Sequence, residues 1–102
     1  MSIVEFLKNW SKSFDPAATR GVTCTIQLMT SQPVYLSIND GSCTLSEGTA
    51  ESADLTLSAK DQDLIKMLSG ELNPTMAFMT GKLQLDGDLM LAQKMPVYFP
   101  QQ

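Results

Sequence analysis

Ala53-Asp54-Leu55-Thr56-Leu57 and, further on, Gly81-Lys82-Leu83-Gln84-Leu85-Asp86-Gly87-Asp88-Leu89-Met90-Leu91-Ala92 frame the part of this chain that decides its fold. Leu55 and Leu57 alternate with polar neighbours as a strand buried on one face does, and Leu83 and Leu85 repeat the alternation. Helical patterning fills the interval: Leu64, Ile65, Leu68 and Leu72 share one face, Ser58 and Asp61 are spaced as a capping box, and Gly70 is placed to stop the helix. Asn73-Pro74 opens a second, shorter helix, because Asn accepts from exposed amides and Pro fits the first turn, where its missing N–H costs nothing. Gly81 ends it. Asp86-Gly87 then turn the chain into a last helix from Leu89 to Met95, stopped by Pro96.

Towards the N-terminus, Ile3, Leu7, Trp10 and Phe14 fall at helical spacing with Glu5, Lys8, Asn9 and Lys12 between them, so residues 3–14 read as an amphipathic helix ended by Asp15-Pro16. Its apolar face should dock Trp10 against the sheet or near a tunnel end. From Val22 the period becomes two, with Cys24, Ile26 and Leu28 on one side, and Val34, Leu36 and Ile38 repeat it. Asn39-Asp40-Gly41 supplies the left-handed positions of a tight hairpin, after which Cys43 and Leu45 open a third strand. Five strands flanked by helices, with antiparallel hairpins among them, give an α+β class. The 102 residues, 43% hydrophobic, suit one domain over 1–102.

Composition removes several classes of function. Seven Lys plus Arg against eleven acids, a net charge of -4, cannot supply the basic face that phosphate neutralisation needs, so no nucleic-acid partner is expected. The same balance allows at most transient contact with anionic membranes. No apolar run approaches the roughly 20 residues that span a bilayer, and Glu5, Lys8 and Lys12 spoil a signal-peptide core, so a cytoplasmic protein is expected. With no histidine, the commonest general base and metal ligand are missing. Asp61 and Asp63 sit where a helix dipole favours negative charge, and Asp86 and Asp88 flank a turn glycine, so neither pair calls for catalysis. No catalytic residue, metal or cofactor is expected. Cys24 and Cys43, with no basic neighbours, read as small core residues rather than reactive thiols. Met67, Met76, Met79, Met90 and Met95 gather in the C-terminal half, where thioethers either fill core gaps or adapt to cargoes of varied shape.

Over residues 53–95, the order and spacing of Gly70, Asn73-Pro74, Ala77-Phe78 and the Gly-Lys-Leu-x-Leu-x-Gly-Asp run with its following apolar helix resemble the sterol-carrier-protein lipid-binding family. The N-terminal part matches only in pattern. The resemblance implies a five-stranded, mainly antiparallel sheet with helices packed over it, enclosing an apolar tunnel for fatty acyl chains, acyl-CoA, sterols or other lipids. Leu64, Ile65, Leu68, Met76, Ala77, Phe78, Met79, Leu83, Leu85, Leu89, Met90 and Met95 would then line or close the tunnel, with Gly81 and Gly87 serving geometry. Lys82 would lie near a mouth or stand as a solvated strand-end lysine. The family's sheet order sets a strand between those of Cys24 and Cys43, roughly 9–10 Å apart and beyond the ~7 Å reach of a disulfide. The tail, Val97-Tyr98-Phe99-Pro100-Gln101-Gln102, lacks the peroxisomal tripeptide of the family's animal members, and Val97 to Phe99 either fold back as a lid or pack on the sheet.

The functional expectation is a non-catalytic, intracellular lipid-binding or lipid-transfer protein for fatty acyl, acyl-CoA, sterol-like or isoprenoid cargo, with broad selectivity. The alternative is a protein-interaction module, a homodimer, or an accessory factor that presents a lipid intermediate to biosynthetic enzymes.

Overall fold

The alternating segments form one five-stranded sheet in the computed structural model, which describes residues 2–100. β1 (Thr23–Met29), β2 (Val34–Asn39), β3 (Ser42–Glu47), β4 (Leu55–Ala59) and β5 (Leu83–Gly87) lie in the order β3-β2-β1-β4-β5. Three of the joins are antiparallel and β1–β4 is parallel, so the sheet is mainly antiparallel, as expected, but mixed. Register lines the apolar side chains into rows across the strands. Leu45, Leu36, Ile26 and Leu55 make one row, and Val34, Leu28, Leu57 and Leu85 make the next. Cys43, Ile38 and Cys24 make a third, with Ile38 between the two free thiols. Asp40 and Gly41 both hold positive φ, 45° and 81°, which gives the two-residue hairpin between β2 and β3 its twist.

The parallel join requires a long connection, and residues 48–54 provide it. Gln27, which alternation assigns to the polar face, is 3% exposed because this connection covers it. Its Nε2 donates to the carbonyls of Val34 (3.2 Å) and Gly48 (3.1 Å), and its Oε1 accepts from the Ala50 N–H (2.8 Å). Asp54 then enters β4, its carboxylate accepting from the Thr25 N–H at 2.7 Å and its carbonyl from the Asp88 N–H at 2.7 Å. The other residues of this sheet face, among them Thr23, Tyr35, Thr44, Thr56 and Gln84, are half-buried or exposed.

Helices α1 (Ile3–Ser11), α2 (Asp61–Leu68), α3 (Pro74–Met79) and α4 (Leu89–Tyr98) cover the apolar face. α1 packs beside α2 and over β3, α3 against β5, and α4 against β4 and the single 3-10 turn at Ala17–Thr19. Ile3, Val4, Leu7 and Trp10 of α1 enter the same buried cluster as the sheet rows, so Trp10 docks as expected. Local signals place three helix ends correctly. The Gly70 N–H bonds the Met67 carbonyl and the Glu71 N–H the Lys66 carbonyl, closing α2 in a Schellman turn, and Gly81 with Lys82 closes α3 in the same way. The Asn73 carboxamide oxygen accepts from the Thr75 and Met76 amides at the start of α3.

Three boundaries differ from the sequence expectation. α1 stops at Ser11 rather than at residue 14, because the Ser11 and Ser13 hydroxyls bond back to the Lys8 and Trp10 carbonyls and the chain turns to set Phe14 against Phe99. Ser58 does not cap α2, since pairing of β4 with β5 continues to Ala59 opposite Leu83, and the cap falls on Lys60, which offers no side-chain bond. Pro96 does not stop α4. The helix runs on to Tyr98, and the bond that proline forfeits is offset by burial of Tyr98 and Phe99. Phe99 stacks on Trp10 with ring centroids 4.3 Å apart. Of the two open alternatives for this tail, packing is the one realised for Tyr98 and Phe99, while Val97 faces solvent. Gln101 and Gln102 lie outside the described residues.

Gly87 closes the crossover against β5: a β-carbon there would sit 2.3 Å from the Asp54 carbonyl oxygen, at a φ of 110°. Gly87→Ala should therefore destabilise by about 3 kcal/mol or more, whereas Gly70→Ala, with a positive φ but open space, should lose only about 1 kcal/mol. Denaturant midpoints of the two variants measure the difference.

Candidate functional site

The residues expected to contact cargo divide by depth. Leu64, Ala77, Leu83 and Met95 are buried in the core, while Ile65, Leu68 and Leu85 are half-buried against it. Met76, Phe78, Met79, Leu89 and Met90 stand in solvent, each between 52% and 73% exposed. α3 explains its own share. A helix of six residues offers little more than one inward position, Ala77 takes it against β5, and its large side chains turn outward. α4 buries Leu91, Met95 and Tyr98 and exposes Leu89, Met90 and Val97, so it is apolar on both sides. A helix apolar all round belongs where both sides are covered. The outward faces of α3 and α4 thus hold six large exposed apolar side chains on an otherwise ordinary surface.

Two open concavities lie beside each other at one end of the sheet, lined mostly by polar residues. One, about 620 Å³, lies among Ser31, Lys60, Asp61, Gln62, Asp63 and Lys82. The other, about 410 Å³, adjoins it through Lys60, Asp63 and Lys82 and includes Ser58, Gly81 and Gln84. Neither is lined by the residues expected at a tunnel, of which Leu64, Ala77, Leu83 and Met95 lie in the buried cluster.

One member of each carboxylate pair, Asp61 and Asp88, has a structural part. Asp61 accepts from the Thr30 hydroxyl, the Ser31 hydroxyl and, at 2.9 Å, the Ser31 N–H, tying the β1–β2 turn to the start of α2. The hydrogen bonds from Ser31 and Thr30 hold its carboxyl below the usual carboxylate range. Asp88 caps α4, accepting from the Met90 and Leu91 amides at 3.0 and 3.2 Å. Burial, then the charges of Asp54 and Asp88, push the Cys24 thiol up, and burial, then Cys24, pushes Cys43 up to about 11, so both stay protonated near neutral pH. Among the described residues no three metal-binding side chains cluster, and no helix is long and apolar enough to cross a membrane. The bonds from Thr30 and Ser31 to Asp61 join segments 31 and 30 residues apart and leave no local signal in the sequence.

A mixed five-stranded sheet with short helices on one face, and apolar side chains displayed on their outer sides, makes this an α+β domain. Residues 6–99 match the SCP-2 sterol transfer family, and the chain belongs to that family. It is 48% identical over 46 residues, 45% of this chain and 11% of the other protein, to human (Homo sapiens) hydroxysteroid dehydrogenase-like protein 2. This chain spans about a tenth of the length of that relative and of its zebrafish (Danio rerio) counterpart, 51% identical over 43 residues. Among solved structures, a double mutant of the sec-alkyl sulfatase PisA1 of Pseudomonas sp. superposes with a TM-score of 0.87 at 19% identity, over 97% of this chain and 16% of the sulfatase. Sterol carrier protein 2 like 2 from Aedes aegypti matches at 0.69 and 26% identity over 90% of this chain and 88% of that one. The palmitated form of that protein matches at 0.72 and 23%, over 97% and 92%.

A carboxyl held low in the folded state stabilises the fold above its unfolded pKa, about 3.9, and loses that contribution as pH falls through the lower folded value. Asp61→Asn should therefore lower stability near pH 7, by no more than about 1 kcal/mol given its solvent exposure, and the gap from wild type should close as pH falls through the lowered folded value. Denaturant titrations at several pH values check the sign.

Proposed function

We propose that this chain, acting as one domain over 1–102, is a non-catalytic carrier of long-chain lipid that works in the cytoplasm. The observation that carries the proposal is the row of exposed apolar side chains on α3 and α4, in a member of a family described by sterol transfer. A palmitated protein of the same fold supports it. Covering apolar surface is favourable by roughly 25 cal/mol per Å², so an acyl chain laid against Met76, Phe78, Met79, Leu89 and Met90 relieves both partners of water. α3 is attached lightly, with Ala77 its one fully buried side chain, and can shift on β5 at small cost. Such a shift opens a way to a floor of Leu64, Ile65, Leu68, Leu83, Leu85 and Met95, and the methionines adapt to cargoes of different shape. The surface asks for few hydrogen bonds, which favours broad selectivity among fatty acyl, acyl-CoA, sterol-like and isoprenoid lipids.

A second reading rests on the outer face of α4: a homodimer or a presenting module would cover the same side chains with protein. Native mass spectrometry separates the two, since a carrier co-purifies with extractable lipid and a dimer without lipid favours the module.

Palmitate at about 100 times its dissociation constant should add about 2.7 kcal/mol to stability, read as a raised melting temperature. Phe78→Ser and Met79→Ser, both at exposed positions, should change the lipid-free stability by less than about 0.5 kcal/mol while weakening palmitate binding several-fold. Emission of the buried Trp10 supplies the binding signal. A melting temperature indifferent to fatty acids, acyl-CoA and sterols alike would remove the carrier reading.

A further inference from the structure

The two edges of the sheet are guarded unequally. β5, one edge, is met by α3, with Lys82 just before it and Asp86 within it. β3, the other edge, pairs with β2 alone, in unbroken register from Ser42 to Glu47. Exposed edges are ordinarily blunted by lysine, proline, a bulge or a covering element. Ser42-Cys43-Thr44-Leu45-Ser46-Glu47 has no lysine, no proline and no bulge, and its one charge, Glu47, stands at its last residue.

The turn fixes which main-chain groups face outward. The two-residue hairpin at Asp40-Gly41 makes Asn39 and Ser42 a bonded pair, and alternation makes Ser37–Thr44 and Tyr35–Ser46 the next ones. Cys43, Leu45 and Glu47 therefore turn their N–H and C=O groups away from β2. Among the described residues no hydrogen bond engages those groups.

A second β3 fits this row when it runs antiparallel about a two-fold axis at Leu45. Cys43 then faces Glu47 of the second copy and Leu45 faces Leu45, each pair exchanging two hydrogen bonds, so no outward group of the strand is left over. Between them Thr44 faces Ser46 of the second copy, a hydroxyl pair of the kind that supports a sheet. Shifting the axis to Thr44 leaves Glu47 opposite the turn, and shifting it to Ser46 leaves Cys43 opposite a residue beyond β3. An axis at Glu47 sets like charges face to face, which is destabilising.

We propose that β3 is an interaction edge on which a second copy of this chain pairs antiparallel, joining two five-stranded sheets into one. The join is closed, since each copy uses its open edge and keeps the guarded β5 outermost. It lies at the opposite edge from α3, leaves the apolar side of α3 uncovered in both copies, and is distinct from a dimer through the outer face of α4. The pairing stands apart from the carrier reading and needs no lipid. Two short strands bury little area, which sets the association among the weak, transient ones, with a dissociation constant of about 10 µM to 1 mM.

Sedimentation velocity from about 1 µM to about 2 mM should take wild type from one chain mass towards two and no further. Glu47→Pro removes an outward N–H that β2 does not use, a position where an edge strand tolerates proline. Thr44→Lys sets a charge on either side of the axis at an exposed position, and carries the test if the proline variant fails to fold. Both should weaken association at least about tenfold with melting temperatures close to wild type, whereas Leu89→Ser/Met90→Ser on α4 should associate as wild type does. In a Cys24→Ser/Cys43→Ser background, Leu45→Cys brings two thiols within disulfide reach across the axis and should oxidise to a covalent dimer. Ser42→Cys, whose two copies stand about 20 Å apart along the strands, should not. A single chain mass for wild type at every concentration overturns the proposal, as does unaltered association in Thr44→Lys or its loss in Leu89→Ser/Met90→Ser. Cross-linking at position 42 as ready as at 45 overturns the register. Masses beyond two chains overturn the closed join and identify open-ended stacking instead.

Discussion

The parallel join of β1 and β4 is the constraint on which the rest of this fold depends. Hairpin turns suffice for antiparallel neighbours, but a parallel neighbour must be reached by a crossover, here residues 48–54 with no helix of their own. Such a segment buries little apolar surface and must be fixed by polar bonds. Gln27 supplies two of them from the middle of β1, to Gly48 and Ala50, with a third bond to Val34 of β2, and Asp54 adds bonds to Thr25 and Asp88 where the crossover becomes a strand. A buried carboxamide is unfavourable unless every such bond is made, so the crossover either seats completely or leaves Gln27 unsatisfied. That all-or-none seating sets the register of β4, and β4 in turn sets β5 and the turn into α4.

Period-two alternation was enough to find all five strands, because each buries one face only and the sheet has a polar side. Helix ends closed by neighbouring residues were equally legible: Gly70, Asn73 and Gly81 act within a few residues of themselves. Errors arose where a distant contact outweighed a local rule. Pro96 forfeits a helix bond, yet the Trp10 ring eighty-odd residues earlier in the chain makes the continuation worthwhile. Ser58 has the spacing of a cap, but β5 holds it in a strand. For the candidate site, the sequence located the apolar residues of α3 and α4 and could not decide which way they point. Met79 and Met95 look alike in composition; one is exposed and the other buried because α4 has a sheet beneath most of its inner side and α3 is too short to turn more than Ala77 inward.

The helical layer is accordingly uneven. α1 drives four side chains into the core, whereas α3 contributes one. Firm attachment on one side of the sheet and light attachment on the other let a single small domain combine a stable frame with a surface that can rearrange.

The stack of Trp10 on Phe99 brings the first helix and the end of the last one to the same corner. It ties the end of α1 to the end of α4 independently of the strands, so the helical layer is fastened to itself at that corner as well as to the sheet beneath it.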